Sequence, residues 1–348
     1  MKLKSTGAGS PTSPGSLTVT RPPLQFSTSA LVTRSIPPPG HLPAIVTPMV
    51  DGLRLDEWAL DSREIIDAWL LAHRALLFRG FDVPGERSFR HFVERASASG
   101  QLMDYRDRSS PRSTVEDRIY TSTDYPPEHP IFLHNEGTYW IRWPLRISFG
   151  CLAAPSSGGE TPIADVRRVY DRIDPAIREE FVEKKVRYVR NYNEGFGLTW
   201  QDAFQTTDPE VVDAYCDRNR ITATWRPSGR LRTTQVREAV ATHPITGEPV
   251  WFNHATFFHV STLEPVIRDG LLREFEQEEL PYNTYYGDGS PIDPKVLAHL
   301  RDCYRAEKRM FQWRTGDVLL LDNMSIAHGR ESYIGSRRII VGMADPSS

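Results

Sequence analysis

A His-x-Glu triplet, His134-Asn135-Glu136, and a histidine at His328 lie 194 positions apart (328 − 134) in a chain of 348 residues. Two imidazoles and a carboxylate can take one face of an octahedral metal and leave the opposite positions open, a set suited to non-haem Fe(II). If the three act together, the fold must bring strands from opposite ends of the chain side by side. Extended backbone places residues i and i+2 on one side, so a strand over 132–139 turns His134 and Glu136 to one cavity with Asn135 facing away. Further strand candidates fall at 75–78, 146–152, 186–191, 250–253, 318–322 and 338–343. Ile65, Ile66, Trp69 and Leu70 share a helical face, and helices are expected near 88–98, 176–184, 209–216 and 294–308. A mixed, mainly β chain whose distant strands meet fits a double-stranded β-helix, or jelly roll, decorated by helices.

The surroundings of the triplet are more specific than the triplet. Phe132-Leu-His-Asn-Glu-Gly-Thr-Tyr-Trp140 leads into Arg146-Ile-Ser-Phe-Gly-Cys-Leu152 and Gly158-Gly-Glu-Thr-Pro-Ile-Ala-Asp165. Downstream come Trp251-Phe-Asn253, Tyr286-Gly-Asp-Gly289, Gly316-Asp-Val-Leu-Leu-Leu-Asp-Asn323, His328-Gly-Arg330 and Arg337-Arg-Ile-Ile340. In that order and spacing, from about Leu76 to Asp345, they resemble the taurine dioxygenase (TauD/TfdA) superfamily of Fe(II)/2-oxoglutarate oxygenases. The nearest likeness is to its SyrP-like branch, which hydroxylates amino acids or aminoacyl groups in natural-product biosynthesis.

The resemblance implies Fe(II) on His134, Glu136 and His328, with 2-oxoglutarate and O2 as co-substrates. The far carboxylate of 2-oxoglutarate, buried, needs a cationic partner, and Arg serves best through a bidentate contact. Arg337 and Arg338 follow His328 by 9 and 10 residues (337 − 328, 338 − 328). Strand neighbours face opposite sides, so only one points inward; the resemblance assigns Arg338. It also gives Thr161 a hydrogen bond to the same carboxylate. Glu136 argues against halogenation, since related halogenases carry a small residue there. Hydroxylation is the default, with desaturation or cyclisation left open. Taurine dioxygenase-like members grip a sulfonate with a second Arg four residues past the first. Here that position is Gly342, which disfavours a taurine-like anion. The implied substrate is a small-molecule amino acid, free or tethered to a carrier protein.

Composition sets bounds. At 39% apolar and 25% charged, with a formal charge of −3, the chain reads as globular with no basic footprint for nucleic acid. No run of about 18 apolar residues suggests a membrane span. Cys151, Cys216 and Cys303 are too scattered for a thiolate site or a disulfide framework; a cytoplasmic setting is the default, with homo-oligomer formation left open. Residues 1–40, rich in Ser, Thr and Pro and without an acid, are expected to form a disordered extension. Residues 41–348 then form one oxygenase domain, with a lid insertion expected around 192–234. Asn253 is expected near the pocket. Arg330 is placed either on a substrate carboxylate or in a structural ion pair. His254 and His259, beside Phe257 and Phe258, suit core or supporting roles better than a second metal. The rivals are a zinc hydrolase and a non-catalytic jelly-roll binding protein. The first lacks the His-Glu-x-x-His spacing, and the second would be marked by a broken triad.

Overall fold

A computed structural model describes residues 28–38, 42–122, 125–192 and 197–348. Strands Ala75–Phe78 and Val318–Asp322 are buried on both faces because their side chains alternate between two cores. Ala75, Leu77, Leu319 and Leu321 join one apolar cluster, while Leu76, Phe78, Val318 and Leu320 join another. These strands belong to an eight-stranded sheet ordered Val32–Ser35, Ala44–Pro48, Ala75–Phe78, Val318–Asp322, Trp143–Ala153, Arg338–Ser347, Ile119–Thr121 and Thr114–Glu116. Only the pairing of Ala44–Pro48 with Ala75–Phe78 is parallel in it.

Helices Leu55–His73 and Glu86–Arg95 cover one face of this sheet through Trp58, Ile66, Leu70, Phe89 and Phe92. Close approach of the second helix requires missing side chains beneath it. A Cβ at Gly150 would sit 2.6 Å from the Phe89 ring, and one at Gly342 would sit 3.0 Å from Val93. Gly342, set aside for lacking a sulfonate-binding arginine, thus serves helix packing. The opposite face of the sheet looks onto a smaller sheet of Ile131–His134, Ile326–Arg330 and Ile163–Asp165, and the candidate site lies there. This is the jelly-roll class expected from sequence.

Two boundaries differ from expectation. The strand bearing His134 stops at that residue, and Glu136 sits in a turn; the turn is imposed by Gly137 at φ 71° and by hydrogen bonds between the Glu136 backbone and Asn323. Much of the expected extension lies outside the described residues, but Val32–Ser35 is a strand paired along its length with Ala44–Pro48, and Val32 is buried. The folded part therefore begins before residue 41. The stretch 192–234 forms helices Trp200–Phe204 and Pro209–Arg218 and the strand Thr222–Trp225, and runs into the strand Leu231–Arg237. These pack around Tyr192, Phe204, Val212 and Ile221 as a separate apolar cluster, and none of its described residues lines the cavity at the triad. No described helix is long and apolar enough to cross a membrane.

Candidate metal centre

His328 pairs directly with His134 across antiparallel strands Ile326–Arg330 and Ile131–His134, which is how two residues so far apart in sequence meet. Their ring centroids lie 4.6 Å apart. Glu136 completes the group: one donor atom from each of His134, Glu136 and His328 lies within 4.8 Å of the others, and all three residues are buried.

Each donor is prepared by its neighbours. Nδ1 of His134 lies 2.9 Å from the Phe132 carbonyl oxygen. A carbonyl only accepts, so the proton is on Nδ1 and the lone pair on Nε2. Phe257 stacks on this ring at 4.0 Å between centroids and 9° between planes, which fixes its orientation. Burial holds the pKa of His134 below its ordinary value and that of His328 well below, keeping both in the neutral form that ligates a metal. Nδ1 of His328 is buried with no hydrogen-bond partner among the described residues.

Glu136 is held by its backbone. Its N–H donates to Oδ1 of Asn323 at 2.8 Å, and its carbonyl accepts from Nδ2 of Asn323 at 2.9 Å. Asn135, expected to face away, is buried, donating from Nδ2 to the Asn323 carbonyl at 2.6 Å. His254 donates from Nε2 to the Asn135 carbonyl at 2.6 Å, which gives it a supporting role behind the ligands. His259 caps a short turn through Ser261.

The cavity beside the histidines is lined by Arg112, Ser122, Ile131, Phe149, Thr161, Arg330 and Arg337. Arg338 is absent from it. Its side chain is 53% exposed and pairs with Glu86 on the helix-covered side of the sheet, which overturns its assignment to the interior. Alternation explains the exchange. Ile339, Val341 and Met343 share the inner core with the cavity side, whereas Ile340 and Ala344 face the helices. Arg337 falls in step with the first set and Arg338 with the second. Four residues past Arg337 stands Val341, so a second anion-gripping arginine is missing in this register too.

Arg337 donates from Nε to the Gly159 carbonyl at 3.0 Å and from Nη1 to Ser122 Oγ at 3.2 Å. No carboxylate pairs with it among the described residues, and burial, helped by nearby Arg330, pushes its pKa down to about 10. Thr161 Oγ1 accepts from Trp313 Nε1 at 3.0 Å, leaving its own proton to give into the cavity.

The two candidate substrate residues are engaged with backbone. Asn253 spends both ends of its amide on backbone: Nδ2 donates to the Ala239 carbonyl at 2.7 Å, and Oδ1 accepts from the Ala255 N–H at 2.9 Å. It does not line the cavity. Arg330 does, but its guanidinium donates to the carbonyls of Tyr125, Pro126 and His129 at 2.6–2.8 Å and so pins a loop. Asn253 has no amide atom left over, whereas Arg330 keeps Nε without a partner among the described residues. Sequence reasoning missed Phe257 and Arg112. Phe257 was read only as aromatic context for His254 and His259, and Arg112 sits in an arginine-rich loop without periodicity.

The donor set and the neutral imidazoles fit a divalent metal with open positions, and a partly buried guanidinium without an acid beside them fits an anion. A family model for the taurine catabolism dioxygenase TauD, TfdA family matches residues 36–344. The chain belongs to this family, and thereby to the Fe(II)/2-oxoglutarate-dependent dioxygenases. It is 37% identical over 303 residues to the dapdiamide synthesis protein DdaC of Enterobacter agglomerans, covering 87% of this chain and 91% of that one. It is 26% identical over 339 residues to a clavaminate synthase-like protein of Arabidopsis thaliana, covering 90% and 98%. Among solved structures, PvcB, described as an Fe, alpha-ketoglutarate dependent oxygenase from an isonitrile synthetic pathway, superposes with a TM-score of 0.52 at 16% identity, covering 92% and 93%. That likeness concerns the fold.

Proposed function

We propose that this dioxygenase hydroxylates an unactivated C–H bond of an amino acid, free or tethered to a carrier protein, in cytoplasmic natural-product biosynthesis. The observation that carries the cofactor assignment is the convergence, on one cavity, of the cross-strand histidine pair with Glu136 and of an arginine without a carboxylate. The relatedness to a dapdiamide synthesis protein supports the natural-product setting.

His134, through Nε2, Glu136 and His328 would hold Fe(II). Bound there with 2-oxoglutarate, the iron would let O2 oxidise a C–H bond, one oxygen atom going to the substrate and the other to succinate as the keto acid loses carbon dioxide. The protein's own part is binding, orientation and exclusion of water. Arg337 offers a charge-assisted partner to the distal carboxylate of 2-oxoglutarate, and the Thr161 hydroxyl donates to the same group. Phe149, 4.9 Å from the His328 ring between centroids, and Phe257 over His134 give the centre apolar walls.

The test is anaerobic addition of Fe(II) and then 2-oxoglutarate, following the weak visible charge-transfer band of the chelate. Wild type is expected to show the band, His134→Ala to lose it, and Arg337→Ala to need far more 2-oxoglutarate. No band in metal-loaded wild type would sink the reading. A screen of amino acids and carrier-loaded aminoacyl thioesters for succinate release then separates free from tethered substrates.

A further inference from the structure

Arg112 reaches the centre from a loop that no motif marks. Its Nη2 lies 2.6 Å from Oε2 of Glu136, with both side chains at most 4% exposed. The loop is braced. Arg112 lies over the Tyr105 ring at 4.5 Å, its carbonyl accepts from Arg108 Nη1 at 3.1 Å, and the Asp107 carbonyl accepts from the Tyr139 hydroxyl at 2.7 Å. Nε and Nη1 of Arg112 have no partner among the described residues, and Glu136 is the acid paired with it. An arginine kept for stability alone is normally saturated, as Arg330 nearly is. This one spends its charge on a single carboxylate oxygen.

We propose that Arg112 is a positioning residue that holds Oε2 of Glu136, leaves Oε1 alone for the metal, and so keeps Glu136 from chelating it. The inference rests on the ligand set proposed above. Asn323 already fixes the Glu136 backbone from both sides. What remains variable is the carboxylate's rotation, and Arg112 decides it. A six-coordinate ion has few positions to spare. Two imidazoles and one carboxylate oxygen take three, and a keto acid chelating through two oxygens takes two more. One position stays open. A chelating Glu136 would close it, leaving metal and 2-oxoglutarate bound but no place for a diatomic gas.

Nitric oxide, an oxygen surrogate, reads that position without turnover. Anaerobic Fe(II) protein with 2-oxoglutarate is titrated with nitric oxide and followed by electron paramagnetic resonance, for wild type, Arg112→Met and Arg112→Lys. Arg112→Met is expected to keep its iron and its 2-oxoglutarate band, yet bind nitric oxide at least tenfold more weakly. Arg112→Lys, with one donor of shorter reach, is expected to lose about threefold. Wild-type nitric oxide affinity in Arg112→Met overturns the proposal, as does wild-type affinity in Arg112→Lys should the methionine variant not fold. Absence of the 2-oxoglutarate band in wild type itself overturns the ligand set, and this inference with it.

Discussion

Two buried polar clusters lie within six residues of each other, around Asp322 and around His328, and they are finished differently. Asp322 accepts from the N–H groups of Met324 and Ser325, from Ser325 Oγ and His243 Nε2 at 3.0–3.1 Å, and from Arg74 Nη1 at 3.3 Å. Burial works against its charge, but His243, Ser325 and Arg74 outweigh it and hold its pKa below the ordinary value. At the other cluster, His328 Nδ1 and two nitrogens of Arg112 are buried without partners, and Arg337 lacks an acid. Unsatisfied buried polar groups cost on the order of 1–3 kcal/mol each. A fold that saturates one cluster and leaves its neighbour unsaturated separates a structural role from a binding one.

Substitutions can break that separation. The largest effect is expected for His328→Ala. Losing a ligand should cost more metal affinity than the roughly 10–100-fold typical of an outer partner, with little change in metal-free melting temperature. Equilibrium dialysis against Co(II) and a thermal melt check both halves. Asp322→Ala should do the reverse, destabilising the metal-free fold by about 3–5 kcal/mol because Arg74 and His243 lose a buried partner. Denaturant unfolding measures it, and a loss under about 1 kcal/mol would erase the contrast.

Arg337→Ala should raise the 2-oxoglutarate dissociation constant roughly 10- to 100-fold, the range of one charge-assisted contact, while iron binding persists. Arg338→Ala is the control. Its half-exposed pair with Glu86 should be worth at most about 1 kcal/mol, with 2-oxoglutarate binding unchanged. An inverted outcome would restore the sequence-based assignment.

The smallest effect is a pH slope. His134, His254 and His328 have native pKa values held below 6.5 by burial. As pH falls below 6.5 the unfolded chain takes up protons that the native state declines, so stability drops with acidification and levels off below the native values. Metal-free protein should melt lower at pH 5.5 than at 7.5. A flat profile would mean that these imidazoles are not held neutral.

Much of the candidate centre was legible in sequence because metal ligation would demand particular residue types. His134, Glu136 and His328 were marked by residue type and surroundings, Thr161 by the family resemblance, and runs such as Ala75–Phe78 and residues 318–321 by unbroken apolarity. Arg337 against Arg338 was not legible from the pair itself. Facing depends on register, and here the pairing is irregular between Arg338 and Ile339. Ile340 on the helix side is as bulky as Ile339 and Val341 on the cavity side, so side-chain size alone did not tell the faces apart. Asn253 misled because its amide is spent on the backbone of Ala239 and Ala255. The strand Ile326–Arg330 escaped notice for want of β-branched alternation, although it carries His328.

The His134–His328 pairing also bears on how such a chain can change over generations. Its two halves are stitched by ladder register, not by the length of what lies between. Between them, segments outside the paired strands, such as the separately packed stretch 197–221, can lengthen or shrink while the histidines stay in place. Change in those segments and retention of the histidine pair can therefore proceed on separate parts of one chain.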